Sequence, residues 1–192
     1  MKVQHLYTGL LSYWQRCEAN HDQNAPGDRF FYTDLKPENP AHEWVHCRPI
    51  FYDIYEKNKD THPNKPVETS VQNCWNMWHN IFVGFSMLPK DADVYVRNRT
   101  DIVLSGPVNF HEYDTTQRTV FIPSGNDYWY GINDQFAFGN YEVMKAYCSL
   151  YLHVQAYYDA GALFHPESML KKHLDMCGIQ VFRLPITNRK NE

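Results

Sequence analysis

The stretch Asp93-Val94-Tyr95-Val96-Arg97-Asn98-Arg99-Thr100-Asp101-Ile102-Val103-Leu104 constrains this chain more than any other. It opens as a run of β-branched and aromatic residues, the make-up of a strand buried on both faces. Two arginines and an aspartate interrupt it before Ile102-Val103-Leu104 resumes the apolar pattern. Unpaired buried charge is very costly, so these charges must sit at a strand end and meet partners. In open α/β sheets, ligands bind at the carboxyl ends of the strands. Arg97, Arg99 and Asp101 are therefore candidates for gripping an anion, alone or with a metal ion. A structural ion pair closing the strand end is the plain alternative.

Around this stretch, strand and helix patterns alternate. Val3 to Thr8 is expected as a first strand ending at Gly9, and Leu10 to about His21 as a helix with Ser12 as a candidate cap. Pro26-Gly27-Asp28 marks a turn before a second strand, Arg29–Thr33, which starts a βαβ unit. Pro37, Pro40, Pro49, Pro63 and Pro66 break the pattern from Leu35 to Pro66. Short elements are expected there around Trp44–Cys47 and Phe51–Lys57, with a polar loop from Asn58 to Lys65. Val71, Cys74, Trp75, Trp78, Ile81, Phe82 and Phe85 recur at helical spacing, which predicts a helix from Val67 to about Leu88 with its aromatic stripe in the core.

Thr119–Ile122 is the next predicted strand, followed by a polar-aromatic loop from Ser124 to Ile132. Asp134–Gly139 reads as a short strand or turn, and Tyr141 to about Asp159 as one long helix. Pro166 to Cys177 predicts another helix, with proline in its first turn and Gly178 as its stop. Ile179–Leu184 is expected as the final strand, and the polar tail Thr187–Glu192 as frayed. The alternation predicts a single domain, an α/β/α three-layer sandwich around a mainly parallel, Rossmann-like sheet.

Composition excludes several classes. The net charge of −4 offers no basic face for nucleic acid and no polybasic membrane patch. Cys17, Cys47, Cys74, Cys148 and Cys177 are odd in number, widely spaced and without a CxxC pair. That argues against a disulfide framework or zinc ribbon and for a reducing compartment. The opening Met1–His5 carries no apolar signal core and no run approaches transmembrane length, so a soluble, cytoplasmic protein is expected. The sequon Asn98-Arg99-Thr100 is accordingly treated as chance.

Two motifs compete with the central stretch. His42-Glu43-Trp44-Val45-His46 satisfies the HExxH pattern of zinc hydrolases. That chemistry needs both histidines on one face of a stable helix and a third ligand downstream. Pro40 and Pro49 leave barely two helical turns, and no convincing third-ligand motif follows, although Glu56 and Glu68 are present downstream. Asp91-Ala92-Asp93 has the DxD form that holds a divalent cation in many glycosyltransferases, yet it precedes the strand, opposite the expected ligand end.

Several segments together bring a family to mind. Val3–Gly9 and Tyr13–Glu18 match an opening strand, turn and helix, and Phe31-Tyr32-Thr33-Asp34 matches a second strand ending in a Thr-Trp-Asp-like sequence without its tryptophan. Asp93–Ile102 matches a strand of the type YDIVIRxRPDI, with Thr100 in place of the proline. Asn133–Gly139 is the segment NDQFAFG in full, and His165-Pro166-Glu167 matches a late Pro-Glu that opens a helix. In order and spacing the chain resembles small glycosyltransferases of the type-A fold found in bacterial polysaccharide loci and in large viruses and phages. The likeness covers most of the chain and is patchy between residues 35 and 66.

The resemblance implies transfer of a sugar from a nucleoside-diphosphate sugar to a hydroxyl of a glycan or glycoconjugate. Thr8, Gly9 and Asp34 would receive the nucleoside, and Arg97 and Arg99 the diphosphate, through bonds that suit the guanidinium fork. Asp101 would stand for the last DxD carboxylate and bind Mn²⁺ or Mg²⁺, while Arg99 in place of the first carboxylate would take over part of the cation's work. Asp134 is the first candidate for the base that deprotonates the acceptor, against the alternative that Asn133 and Asp134 cap a turn; Asp127 is the second. Tyr128, Trp129 and Tyr130 either line the acceptor pocket or belong to the core. His165 and Glu167 either contact the acceptor or metal or serve the helix start. A non-catalytic nucleotide- or sugar-binding module and a zinc hydrolase are the competing functions.

Overall fold

The computed structural model describes residues 1–40, 42–47 and 71–190. Its strands are β1 (Val3–Gly9), β2 (Asp28–Thr33), β3 (Glu43–His46), β4 (Val94–Arg99), β5 (Ile102–Leu104), β6 (Thr119–Pro123), β7 (Phe136–Gly139), β8 (Gln180–Leu184) and β9 (Asn188–Lys190). Seven of them form one sheet in the order β3-β2-β1-β4-β7-β6-β8, and β5 and β9 form a separate two-stranded ribbon. In the main sheet only β7 runs against its neighbours, antiparallel to both β4 and β6. The sheet is thus mixed but mostly parallel.

Period-two alternation sends neighbouring residues of each central strand to opposite faces. Leu6, Tyr95, Val120, Ile122 and Ala137 pack into the larger core. Val94, Val96, Phe121, Phe136 and Phe138 pack into a second core with β5 and the segment around Phe110, and Tyr7 and Phe31 into a third beneath the first helix. That helix, α1 (Trp14–Asn24), buries Trp14, Cys17, His21 and Asn24 at helical spacing. The other face is covered by α2 (Val71–Ser86), α3 (Tyr141–Cys148), α4 (Val154–Asp159) and α5 (Pro166–Met176). The expected aromatic stripe of α2 is core, with Trp75, Trp78, Ile81 and Phe85 all buried. Burial of one such large side chain stabilises the fold by about 1.5–3 kcal/mol.

Four expectations need correction. The helix from Tyr141 to Asp159 is broken: α3 ends at Cys148, a 3₁₀ segment covers Ser149–His153, and α4 follows. The Ala146 carbonyl, which a continuous helix would bond to Leu150, is instead taken by Ser149 Oγ (2.7 Å) and His173 Nε2 (2.8 Å). The tail is not frayed as far as residue 190, because β9 pairs antiparallel with β5, Ile102 opposite Lys190 and Leu104 opposite Asn188. Ile102–Leu104 therefore does not continue β4 but starts the ribbon after a turn at Thr100-Asp101.

The fourth correction concerns His42-Glu43-Trp44-Val45-His46, which runs into strand β3 rather than forming a helix. β3 pairs with β2, Phe30 opposite Glu43 and Thr33 opposite His46, and these ladder bonds win over helix formation in so short a segment. Residues four apart in a strand lie about 13 Å apart, too far to share one zinc ion. His42 Nε2 instead meets Glu18 Oε1 at 3.1 Å. Phe51–Lys57, Asn58–Lys65, Glu56 and Glu68 lie outside the described residues. No helix among the described residues is long and apolar enough to cross a membrane.

Candidate functional site

The strand order reverses between β1 and β4: the chain steps outward through β2 and β3, then returns to place β4 on the other side of β1. Such a switch point opens a crevice at the carboxyl ends of the two strands. Thr8 of β1 lies level with Arg99 of β4 there. Gly9 follows with φ +129°, and a Cβ on it would come within 2.9 Å of Thr100 Oγ1. Thr100 Oγ1 in turn donates to the Leu10 carbonyl at 2.8 Å, so the loops after β1 and β4 are pinned together. Leu11 N donates to Asp34 Oδ1 at 3.0 Å, which brings the end of β2 to the same place.

These contacts enclose a cavity of about 540 Å³ whose walls include Thr8, Gly9, Asp34, Arg97, Arg99 and Asp101. All six residues that the resemblance assigned to a donor are thereby brought together. Sequence reasoning missed the opposite wall, Asn76, Met77 and Asn80 of α2. Their spacing on the polar side of an amphipathic helix was visible, but nothing local said which strand ends that side would meet.

Arg97 is not at the strand end. It lies two residues inside β4, opposite Leu6 of β1 and Ala137 of β7, and is 1% exposed. Arg99 and Asp101 form the ion pair that was the plain alternative: Nε donates to Oδ1 at 2.8 Å and Nη2 to Oδ2 at 2.7 Å. Burial opposes the charge on both partners, and their mutual bonds outweigh it, raising the Arg99 pKa and holding the Asp101 carboxyl below its usual range. This arrangement does not fit the expected Mn²⁺ or Mg²⁺. Both Asp101 oxygens are committed to Arg99, and among the described residues no three of His, Cys, Asp and Glu gather as a cation site.

A second cleft of about 920 Å³ shares Arg99, Asn73 and Met77 with the first. Asp134, Tyr128, Trp129, His165 and Glu167 line it, as do Arg189 and Lys190 from β9, which sequence reasoning had left in the tail. Asp134 is 2% exposed, and no hydrogen bond or ion pair from a described residue engages its carboxylate. The turn is capped by its neighbour, since Asn133 Oδ1 accepts from Gln135 N at 2.9 Å. His165 precedes α5 without a side-chain cap bond. Its Nδ1 approaches Glu167 Oε2 to 2.6 Å without the alignment of a hydrogen bond. Cys74 also reaches this cleft, but burial first, then the fields of Asp134 and Glu167, push its thiol pKa far up and keep it protonated.

Asp127 is not in this cleft. It accepts from Asn133 N at 2.8 Å and pairs with Arg183, facing a separate cavity behind the loop. Its role is to hold the loop Ser124–Ile132, which carries the exposed Tyr128, Trp129 and Tyr130. Tyr130 is almost wholly in solvent and lines neither cavity, so the core alternative fails for all three aromatics. Trp129 and Tyr130 take left-handed φ of +50° and +60°, a conformation disfavoured for bulky residues unless the surroundings enforce it. The clamp is α5: Ser168 Oγ donates to the Trp129 carbonyl at 2.5 Å and Ile132 N to the Glu167 carbonyl at 3.1 Å.

A buried amide network fixes the floor. Asn133 Nδ2 donates to Asn188 Oδ1 at 2.6 Å, and Asn188 Nδ2 donates to Gln135 Oε1 at 2.7 Å. It ties the chain before β7 to β9, and so sets Asp134 against Arg189 and Lys190 across the cleft. Asp91 and Asp93 lie at the far end of β4, where both bind Lys2, Asp91 through Nζ and Asp93 through the backbone amide, each at 2.7 Å. No protein-family model matches the chain, and no curated protein matches it.

Proposed function

We propose that the chain transfers a sugar from a nucleoside-diphosphate sugar to a hydroxyl of a glycan acceptor. One observation carries this reading: two cavities share the wall at Arg99, one at the switch point lined by the buried Arg97 and a wider one holding the uncommitted Asp134 carboxylate. Arg97 and Arg99 bind the diphosphate through charge-assisted hydrogen bonds and stabilise the charge that builds on it as it leaves. The acceptor lies in the wider cleft, against the faces of Tyr128 and Trp129. Its hydroxyl oxygen attacks the anomeric carbon while Asp134 takes the hydroxyl proton. The bond from that carbon to the diphosphate oxygen breaks, and the nucleoside diphosphate departs with the electron pair. The engaged state of Asp101 favours a second reading, a nucleotide- or sugar-binding module without turnover.

Thermal unfolding with a panel of nucleoside diphosphates and nucleotide sugars, with EDTA and with Mn²⁺, tests the donor site, because a ligand of the folded state raises Tm. The best donor is then incubated with glycan acceptors and release of nucleoside diphosphate is followed. A Tm shift with acceptor-dependent release supports the transferase. A shift without release for any acceptor supports the module, and no shift with any nucleotide overturns both.

A further inference from the structure

We propose that Arg97 is a buried cation completed by the ligand, so that the first cavity binds a diphosphate without a divalent metal ion. The inference rests on the donor-site reading above and sharpens it. Arg97 is almost wholly buried, yet its Nε and Nη1 have no hydrogen-bond partner among the described residues. A structural arginine at such depth is normally paired, because leaving its charge unanswered in the interior is strongly unfavourable. Its side chain lines the cavity, and its field reaches Tyr147 and Cys148 of α3, both buried and neutral.

Among the described residues, the carboxylates that could answer it are occupied or line the other cleft. Asp101 is held by both arms of Arg99, Asp34 accepts from Leu11 N at the end of β2, and Asp134 and Glu167 line the other cleft. Asn76 Oδ1, which lines the same cavity, is likewise buried and without a hydrogen-bond partner among the described residues. The cavity therefore presents unused donors from a fixed positive charge and one unused acceptor. An anionic oxygen joined to a group bearing an O–H or N–H satisfies both, as the phosphates and nucleoside of a nucleoside diphosphate do. A divalent cation is the usual means of neutralising a diphosphate; here Arg97 supplies a positive charge that no described residue neutralises, while both Asp101 oxygens already accept from Arg99.

Calorimetric titration of the full chain with the nucleoside diphosphate giving the largest Tm shift, and with inorganic pyrophosphate, decides the matter. Equal affinity in excess EDTA and in saturating Mn²⁺ is expected. Arg97→Met should weaken diphosphate binding about ten- to hundredfold, the worth of a charged hydrogen bond. It should leave binding of the phosphate-free nucleoside unchanged and raise the Tm of the ligand-free protein, whereas Arg97→Lys should keep part of the affinity. Binding only with Mn²⁺ overturns this inference and leaves the donor site standing. An Arg97→Met protein that is less stable, fails to fold or binds diphosphate normally makes Arg97 structural and also overturns it. Absence of diphosphate binding in both conditions overturns it together with the donor site.

Discussion

Gly131→Ala tests the claim that the aromatic loop is held against α5 by close packing of its backbone on the start of that helix. A Cβ at this position would stand 2.2 Å from the carbonyl carbon of Glu167, 2.3 Å from Ser168 N and 2.5 Å from Glu167 O. Non-bonded heavy atoms settle near 3.5 Å, so loop and helix must separate by roughly 1 Å. The bonds from Ile132 N to Glu167 O and from Ser168 Oγ to Trp129 O are then lost, at about 1 kcal/mol each. Overpacking adds about 1–3 kcal/mol, for a total of about 3–5 kcal/mol. Gly125→Ala is the control: it has φ +79° and nothing within 4 Å, so only left-handed strain of about 1–2 kcal/mol is expected. Urea unfolding followed by tryptophan fluorescence compares the two. The altered loop should also impair transfer while leaving nucleotide binding at Thr8, Asp34 and Arg97 intact. If Gly131→Ala costs no more than Gly125→Ala, the steric argument is refuted.

Asp134→Asn should lower acceptor-dependent release of nucleoside diphosphate by about 10²–10⁴-fold with donor affinity unchanged; a rate near wild type would remove Asp134 as the base. Thr100→Val keeps the shape but leaves the Leu10 carbonyl without its 2.8 Å bond, and should cost about 1–2 kcal/mol by chemical denaturation. Stability should also fall in mild acid. His21 is satisfied as a neutral ring, donating from Nε2 to the Ile102 carbonyl and accepting from Tyr7 at Nδ1, and His5 Nδ1 accepts from Asn98. Burial pushes the His5 pKa down to about 3 and that of His21 down to about 4. Below the ordinary value of about 6.5 the unfolded chain binds more protons than the native one, so stability is full above that pH and falls as pH drops towards 4 and then 3. Unfolding midpoints measured at pH 7 and pH 5 should show a loss on the order of 2 kcal/mol for each ring, and equal midpoints would refute the assignment.

Much of this architecture is legible in local pattern. Alternation in Val94–Val96 and Phe136–Phe138, and the helical recurrence of Trp75, Trp78, Ile81 and Phe85, identify buried strands and a buried helix face, because periodicity follows from backbone geometry within a few residues. Thr8, Gly9, Asp34, Arg97, Arg99 and Asp101, the residues proposed to hold a donor, stand out by their positions at or near strand ends, and the sheet order brings them to one cavity. Local pattern misled where a distant residue supplies the deciding bond. His173 takes the Ala146 carbonyl and ends α3, and Arg183 helps turn Asp127 away from the cleft.

Strands, helices and the chemical character of their ends were thus determined by the sequence read along itself. Tertiary structure alone decided that Asp101 pairs with Arg99 while Arg97 Nε and Nη1 meet no partner among the described residues, that α2 presents Asn76 and Asn80 to the cavity, and that Asn188 in a polar tail ties Asn133 and Gln135 on either side of Asp134. The reason is physical: a side chain's partners depend on which distant segments the sheet order sets side by side, and charge and hydrogen-bond satisfaction are properties of that enclosure rather than of neighbours in the chain.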